Sequence, residues 1–218
     1  MKKEKREISW KNKLIDLVVV FIGVSIAFAL NNWQQNKNSN VLHQKYLVSL
    51  RGDLIKDQGV IQNDLKRLDT ISFKIKRLIA YSSGTNISGD SLGYYISGIL
   101  TQTIFRPNNH TFQSIINSGD ITNFGDVNFV KGLGELYNGV YQDIKEHDQI
   151  GVANLKDHVI SRVVTIGSFD DNYLKSLPFK GLLGVFQSLN EKKRILYLEA
   201  QQQTNALLKL IDNDLKLD

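Results

Sequence analysis

Residues 14–30 read LIDLVVVFIGVSIAFAL, seventeen positions whose only charge is Asp16, close to the start. A helix rises about 1.5 Å per residue and needs about 20 residues to cross roughly 30 Å of hydrocarbon, so this run stands at the short end of a membrane span. Its flanks extend it. Trp10 and Trp33 bracket the run, and the helical rise between them separates their rings by about 34 Å, which seats both indoles at water interfaces.

The charge distribution gives the span a direction. Net charge is +5, from 27 basic and 22 acidic residues. Lys2, Lys3, Lys5, Arg6, Lys11 and Lys13 stand against Glu4 and Glu7 in residues 1–13, so +4 of the excess precedes the apolar run. The near-neutral remainder lacks the basic face that phosphate binding requires, which argues against nucleic acid as a partner. Beyond Leu30, only Lys37 and Lys45 occur in the next fifteen positions. The positive-inside rule therefore holds the N-terminus in the cytoplasm and puts the body on the other side. The expected organisation is a basic cytoplasmic tail (1–13), a transmembrane anchor (14–33) and an extracytoplasmic domain (34–218), with the lipid bilayer as first partner.

A basic start, a short apolar run and the Ala27-Phe28-Ala29 triplet also describe a cleavable signal peptide. Against cleavage, the triplet continues the apolar run rather than following a polar, helix-breaking stretch, and Leu30 extends it. A buried core helix would leave the basic tail and the paired tryptophans as coincidences.

The body reads as helical. From Gln44 to about Ala80, Leu47, Leu50, Leu54, Ile61, Leu65, Leu68, Ile75 and Ile79 recur at helical spacing, predicting one long helix with a coiled-coil seam or a bundle arm. Ser82 to Asn86 end it, a shorter helix follows over 88–102 with Tyr94, Tyr95, Ile99 and Leu100, and Arg106-Pro107 breaks the chain. Residues 111–126, TFQSIINSGDITNFGD, predict a short helix stopped at Gly119, a tight corner, and Asp126 capping the next helix. That helix keeps Val130, Leu133, Tyr137, Val140, Ile144, Leu155, Val159, Val163 and Ile166 on one stripe, while Gly132, Gly134, Gly139 and Gly151 weaken it and allow a bend. Residues 167–178 read as a loop, and 179–215 as one or two helices with Leu182, Phe186, Leu189, Leu196, Leu207, Ile211 and Leu215 inside. No stretch alternates with period two for long enough to predict a strand. The expected class is all-α: a transmembrane helix, then an up-and-down bundle of long helices, the anchor running straight into the bundle because residues 31–42 contain neither proline nor glycine.

Asp16, Gly23, Ala27, Asn31, Asn32 and Trp33 form a pattern, D-x6-G-x3-A-x3-NNW. It resembles the N-terminal signature of a family of short, single-span bacterial inner-membrane proteins of unknown function. The leucine pattern from Tyr46 to Leu54, the central FQSIINSGD of Phe112 to Asp120 and the helix around Leu133 to Tyr137 are similar to further parts of that family. Where the family more commonly has glutamate, this chain has Asp16. The resemblance implies a retained anchor, and it carries no activity with it.

Candidate residues are few. Asp16 is costly at the edge of hydrocarbon, and Gly23, Ala27 and Asn31 share its helix face. This small, polar stripe suits close packing of another transmembrane helix, from a second copy or another membrane protein; the alternative is that Asp16 is neutralised at the interface by Lys11, Lys13 or water. His43, His110, His147 and His158 are scattered. Asp143, His147 and His158 fall near one helix face, yet solvated or structural histidines explain them better, so no metal is expected. There is no cysteine, which excludes disulfides and thiolate chemistry. No phosphate loop, nucleophile elbow or paired-carboxylate signature is present, and neither enzyme activity nor a cofactor is expected.

Two functions compete. One is a non-enzymatic interaction or scaffold protein that presents a periplasmic helical bundle and assembles with itself or another membrane complex. The other is an extracytoplasmic small-ligand sensor, which would need a partner for output because about 13 residues are expected in the cytoplasm.

Overall fold

The computed structural model describes residues 10–166 and 169–216, the side chains of Lys11 and Asn12 excepted. The basic tail ahead of Trp10 lies outside the described residues. Every regular element is helical, and no strand occurs among the described residues. The chain divides into two compact units, residues 1–45 and 46–218. Helix α1, Trp10–Ser82, contributes to both, and its backbone stays helical through residues 31–42.

In the first unit, every position from 14 to 30 is exposed.

In the second unit, α1 buries one narrow seam. Leu47, Leu50, Leu54, Asp57, Ile61, Asp64, Leu68, Ile71, Ile75, Leu78 and Ser82 are all buried, and their spacing alternates strictly between three and four, the signature of a heptad seam. Apolar periodicity finds most of this seam. Leu65 and Ile79, expected on it, lie half-buried at its side, while two aspartates occupy core positions.

Side-chain contacts tie the next two helices and the last one to α1. Helix α2, Gly89–Leu100, joins through Lys74 Nζ donating to Ser97 Oγ at 2.8 Å, with Gly98 close against Lys74. Helix α3, His110–Ser118, follows, with Thr111 Oγ1 donating to Asp53 at 2.6 Å. Tyr46 then meets Asp120 at 2.8 Å, so this segment runs antiparallel to α1. The corner forms as expected: Gly119 adopts φ +77, and Asp126 accepts from the Asn128 and Phe129 N–H groups.

Residues 127–166 then run as α4 (Val127–Gly134), a π-helical turn (Glu135–Val140), α5 (Tyr141–Asn154), a second π turn (Leu155–Ile160) and α6 (Ser161–Ile166). The wide first turn brings both Leu136-Tyr137 and Val140-Tyr141 inward. A π turn adds a residue and shifts the face that follows it. This explains why Val163 and Ile166, expected inside, are exposed.

The expected loop over 167–178 contains a short helix, α7, Asp171–Leu174, because Asp170 caps it. Helix α8, Leu177–Leu215, is single and starts earlier than expected. Ser176 accepts from the Phe179 N–H, and Pro178 sits in the first turn, where no N–H is needed. Contacts of α8 with α1 pair Arg51 with Asp212, Gln58 with Asn205 and Leu68 with Asn190, and are therefore antiparallel.

A β-carbon at Gly98 would lie 2.6 Å from Lys74 Cβ, whereas one at Gly93 on the same helix meets nothing within 4 Å. Gly98→Ala is expected to cost about 1–3 kcal/mol by overpacking, and Gly93→Ala to be neutral or slightly stabilising. Thermal melts of the two variants check this; equal melting points would remove the close α1–α2 approach.

Candidate functional site

Two places in the molecule concentrate unusual chemistry. The first is the apolar N-terminal segment of α1. Trp10 and Trp33 are 83% and 60% exposed, with Lys13 Nζ 5.9 Å from the Trp10 ring centre and Lys37 Nζ 5.4 Å from that of Trp33. Each indole thus has a cation over its face, an arrangement suited to a headgroup region. Helical geometry sets Asp16, Gly23, Ala27 and Asn31 within one sector of the helix surface. All four are exposed, and the space beside Gly23 is open.

The second place is in the body, and sequence periodicity does not find it. The segment expected to continue α2 to residue 102 leaves the helix at Thr101, which takes φ −91, ψ 126. Over residues 103–106 burial alternates: Thr103 and Phe105 are inside, Ile104 and Arg106 outside. The alternation is too short to predict a strand, and no strand lies beside it among the described residues. A non-helical segment in a helical interior must have its backbone polar groups satisfied by side chains or water. Here three buried charged residues on three helices serve it. Asp57 of α1 accepts from the Asn108 N–H at 2.9 Å and from Asn108 Nδ2 at 2.7 Å. Asp148 of α5 accepts from the Phe105 N–H at 2.9 Å. Lys193 of α8 donates to the Thr103 carbonyl and pairs with Asp148. Phe105 inserts edge-on between Tyr141, at 4.9 Å, and Tyr197, at 6.0 Å.

Tyrosines complete the network. Tyr137 donates to the Asn108 carbonyl at 3.3 Å, Tyr141 lies 3.4 Å from Thr204 Oγ1, and Tyr197 donates to buried Asp64 at 3.2 Å. Burial, reinforced chiefly by Asp57 for Tyr137 and Tyr141 and by Asp64 for Tyr197, drives all three phenols well above their ordinary range, so they remain neutral donors. Asp57 is fully buried, and no basic side chain pairs with it among the described residues. Burial raises its pKa despite the opposing hydrogen bonds of Asn108 and the pull of Tyr141, and nearby Asp53 adds to the rise.

His147 lies beside this cluster, with its pKa lowered by burial and then by Lys193. Both of its ring nitrogens are buried without a hydrogen bond to any described residue. Asp143 and His158, considered with it as ligands, are exposed, and no group of three candidate metal ligands converges among the described residues. The central SGD motif has a structural role. Asp120 accepts from Ser118 at 2.6 Å, Tyr46 at 2.8 Å and Asn123 at 3.2 Å, tying the end of α3 to α1. The Ser118 and Tyr46 hydrogen bonds hold its pKa below the usual range.

Comparison of the chain with protein-family models, curated proteins and solved structures finds no match.

Because the folded-state pKa of Asp57 is raised, its contribution to stability is fully present below its unfolded pKa and is lost as pH rises through the folded value. Asp57→Asn is neutral at every pH and can still accept from Asn108. Its melting temperature relative to the unaltered chain is expected to climb as pH goes from 4 to 8; parallel melting curves across that range would contradict the assignment.

Proposed function

We propose that the protein is a non-enzymatic, membrane-anchored interaction protein. Residues 14–33 hold it in a bacterial inner membrane with the tail in the cytoplasm, and residues beyond the anchor present an up-and-down helical bundle to the periplasm. One observation carries the reading. An apolar helical run with every residue exposed and an indole under a cation at each end has no place in water. Burying each of its large side chains in lipid is worth about 1.5–3 kcal/mol, which supports a stable span. The charge step from tail to body supports the orientation, and the resemblance of the Asn-Asn-Trp exit to single-span bacterial membrane proteins supports retention of the anchor.

The stripe of Asp16, Gly23, Ala27 and Asn31 is the proposed packing face for a second transmembrane helix. Its open space beside Gly23 admits a neighbouring backbone, and Asp16 supplies a polar contact that gains strength away from water. The partner is another copy or another membrane protein; neither nucleic acid nor a cofactor is part of the proposal.

The chain is expected to remain in carbonate-washed inner membranes with an intact mass of 24.7 kDa. A mature product beginning near Leu30 or Asn31 would overturn the anchor. Gly23→Ile is expected to weaken self- or partner association in mild detergent by about 1–2 kcal/mol, with the circular dichroism of the body unchanged. An unaltered assembly would remove the stripe from the account.

A further inference from the structure

The clasp formed by Asp57, Asp148 and Lys193 holds residues 101–109 through main-chain groups: the N–H of Phe105, the N–H of Asn108 and the carbonyl of Thr103. These three contacts would accept many sequences. Side-chain selectivity comes from the ring of Phe105 between Tyr141 and Tyr197 and from the amide of Asn108, whose Nδ2 donates to Asp57. Backbone reading with one aromatic anchor is also how proteins grip extended peptides.

The seated segment leaves some of its neighbours poorly served. Both ring nitrogens of His147 are buried without a partner among the described residues, Asp57 is buried without a cation, and a cavity of about 20 Å³ remains beside Thr103. An unsatisfied buried polar group costs about 1–3 kcal/mol, and lifting the segment would return these groups to water. The α1–α8 contacts Arg51–Asp212, Gln58–Asn205 and Asn190–Leu68 use none of its residues. These α1–α8 contacts can persist when the segment is released.

We propose that residues 101–109 are a displaceable strap, and that the clasp beneath is a binding site for an extended segment of a partner protein carrying one aromatic residue. The strap occupies this site as a built-in competitor. The partner's segment presents a carbonyl two residues before the aromatic residue and free N–H groups at that residue and three residues after it. Proline fits two residues after the aromatic residue, as Pro107 does here, and is excluded from the aromatic position and from the third residue after it. The inference deepens the interaction reading by naming the partner's chemistry, and it can fail while membrane retention stands.

The test uses the full chain in detergent and a fluorescent peptide of sequence TQTIFRPNN, that of residues 101–109. Phe105→Ala loosens the intramolecular strap and empties the aromatic slot. The peptide is expected to bind this variant at least about tenfold more tightly than the unaltered chain, because the competing strap no longer fills the site. A peptide with alanine replacing phenylalanine is expected to bind neither chain. In hydrogen exchange of the unaltered chain, the amides of Phe105 and Asn108 are expected to exchange at least about tenfold faster than those of Leu54 and Leu196. Equal affinity of the peptide for the two chains, equal binding of the two peptides, or exchange of Phe105 and Asn108 only with global unfolding would overturn the proposal. The exchange arm and the comparison of the two peptides on the unaltered chain need no substitution, so displaceability and binding are both tested even where Phe105→Ala fails to fold. Carbonate resistance of the unaltered chain reports separately on the anchor.

Discussion

A broken arm in a helical body creates the constraint around which the second unit is organised. Where α2 stops at Leu100 and α3 starts at His110, the intervening backbone lacks the internal bonding of a helix, yet Thr103 and Phe105 lie in the core. The buried charges of α1, α5 and α8 are placed where they meet that need. Asp57 stands in a seam of leucine and isoleucine for this reason: an apolar residue there would leave the Asn108 N–H without its acceptor. Asp148 and Lys193 neutralise one another while each also serves the strap. Removing one of them would strand the other as a buried charge, which is more costly than losing a surface ion pair. Polar residues in a heptad seam also fix register, so the groups that hold the strap can align α1 against its neighbours as well.

Much of the helical architecture was legible in the sequence, because alternating three- and four-residue apolar spacing has few competing readings. Gly119 and Asp126 were legible for a local reason: a left-handed turn favours glycine, and an exposed helix N-terminus favours a short acceptor. The strap was not. Its in-and-out pattern spans only four residues, and the acids and base that hold it are 43 to 90 positions away in the chain. Asp57, Asp64 and Lys193 read as exposed charges to any rule that follows apolar residues alone. The missed signal was that both aspartates continue the three-four spacing of the seam. The inward expectation for Val163 and Ile166 failed for a different reason, since a π turn resets the helical phase.

The proposed anchor obeys a simpler rule than the body. Along α1 the same helical geometry produces two kinds of surface. Positions 14–30 are exposed and apolar over most of the circumference, the stripe of Asp16 excepted; from Tyr46 onward, apolar residues concentrate in a buried seam and charges fill much of the rest. The first pattern suits lipid and the second suits helices in water. The candidate residues in the two regions differ accordingly. Asp16 is proposed to find its partner in another transmembrane helix, whereas Asp57, Asp148 and Lys193 already have theirs within the chain.

The absence of native cysteine makes the orientation directly measurable. Ser188 is exposed on α8, and Ser9 belongs to the tail. With the outer membrane permeabilised and the inner membrane intact, Ser188→Cys is predicted to react with a membrane-impermeant maleimide, and Ser9→Cys only after the inner membrane is broken. The reverse pattern, or both cysteines reacting equally before and after inner-membrane lysis, would contradict a retained span with the body on the periplasmic side.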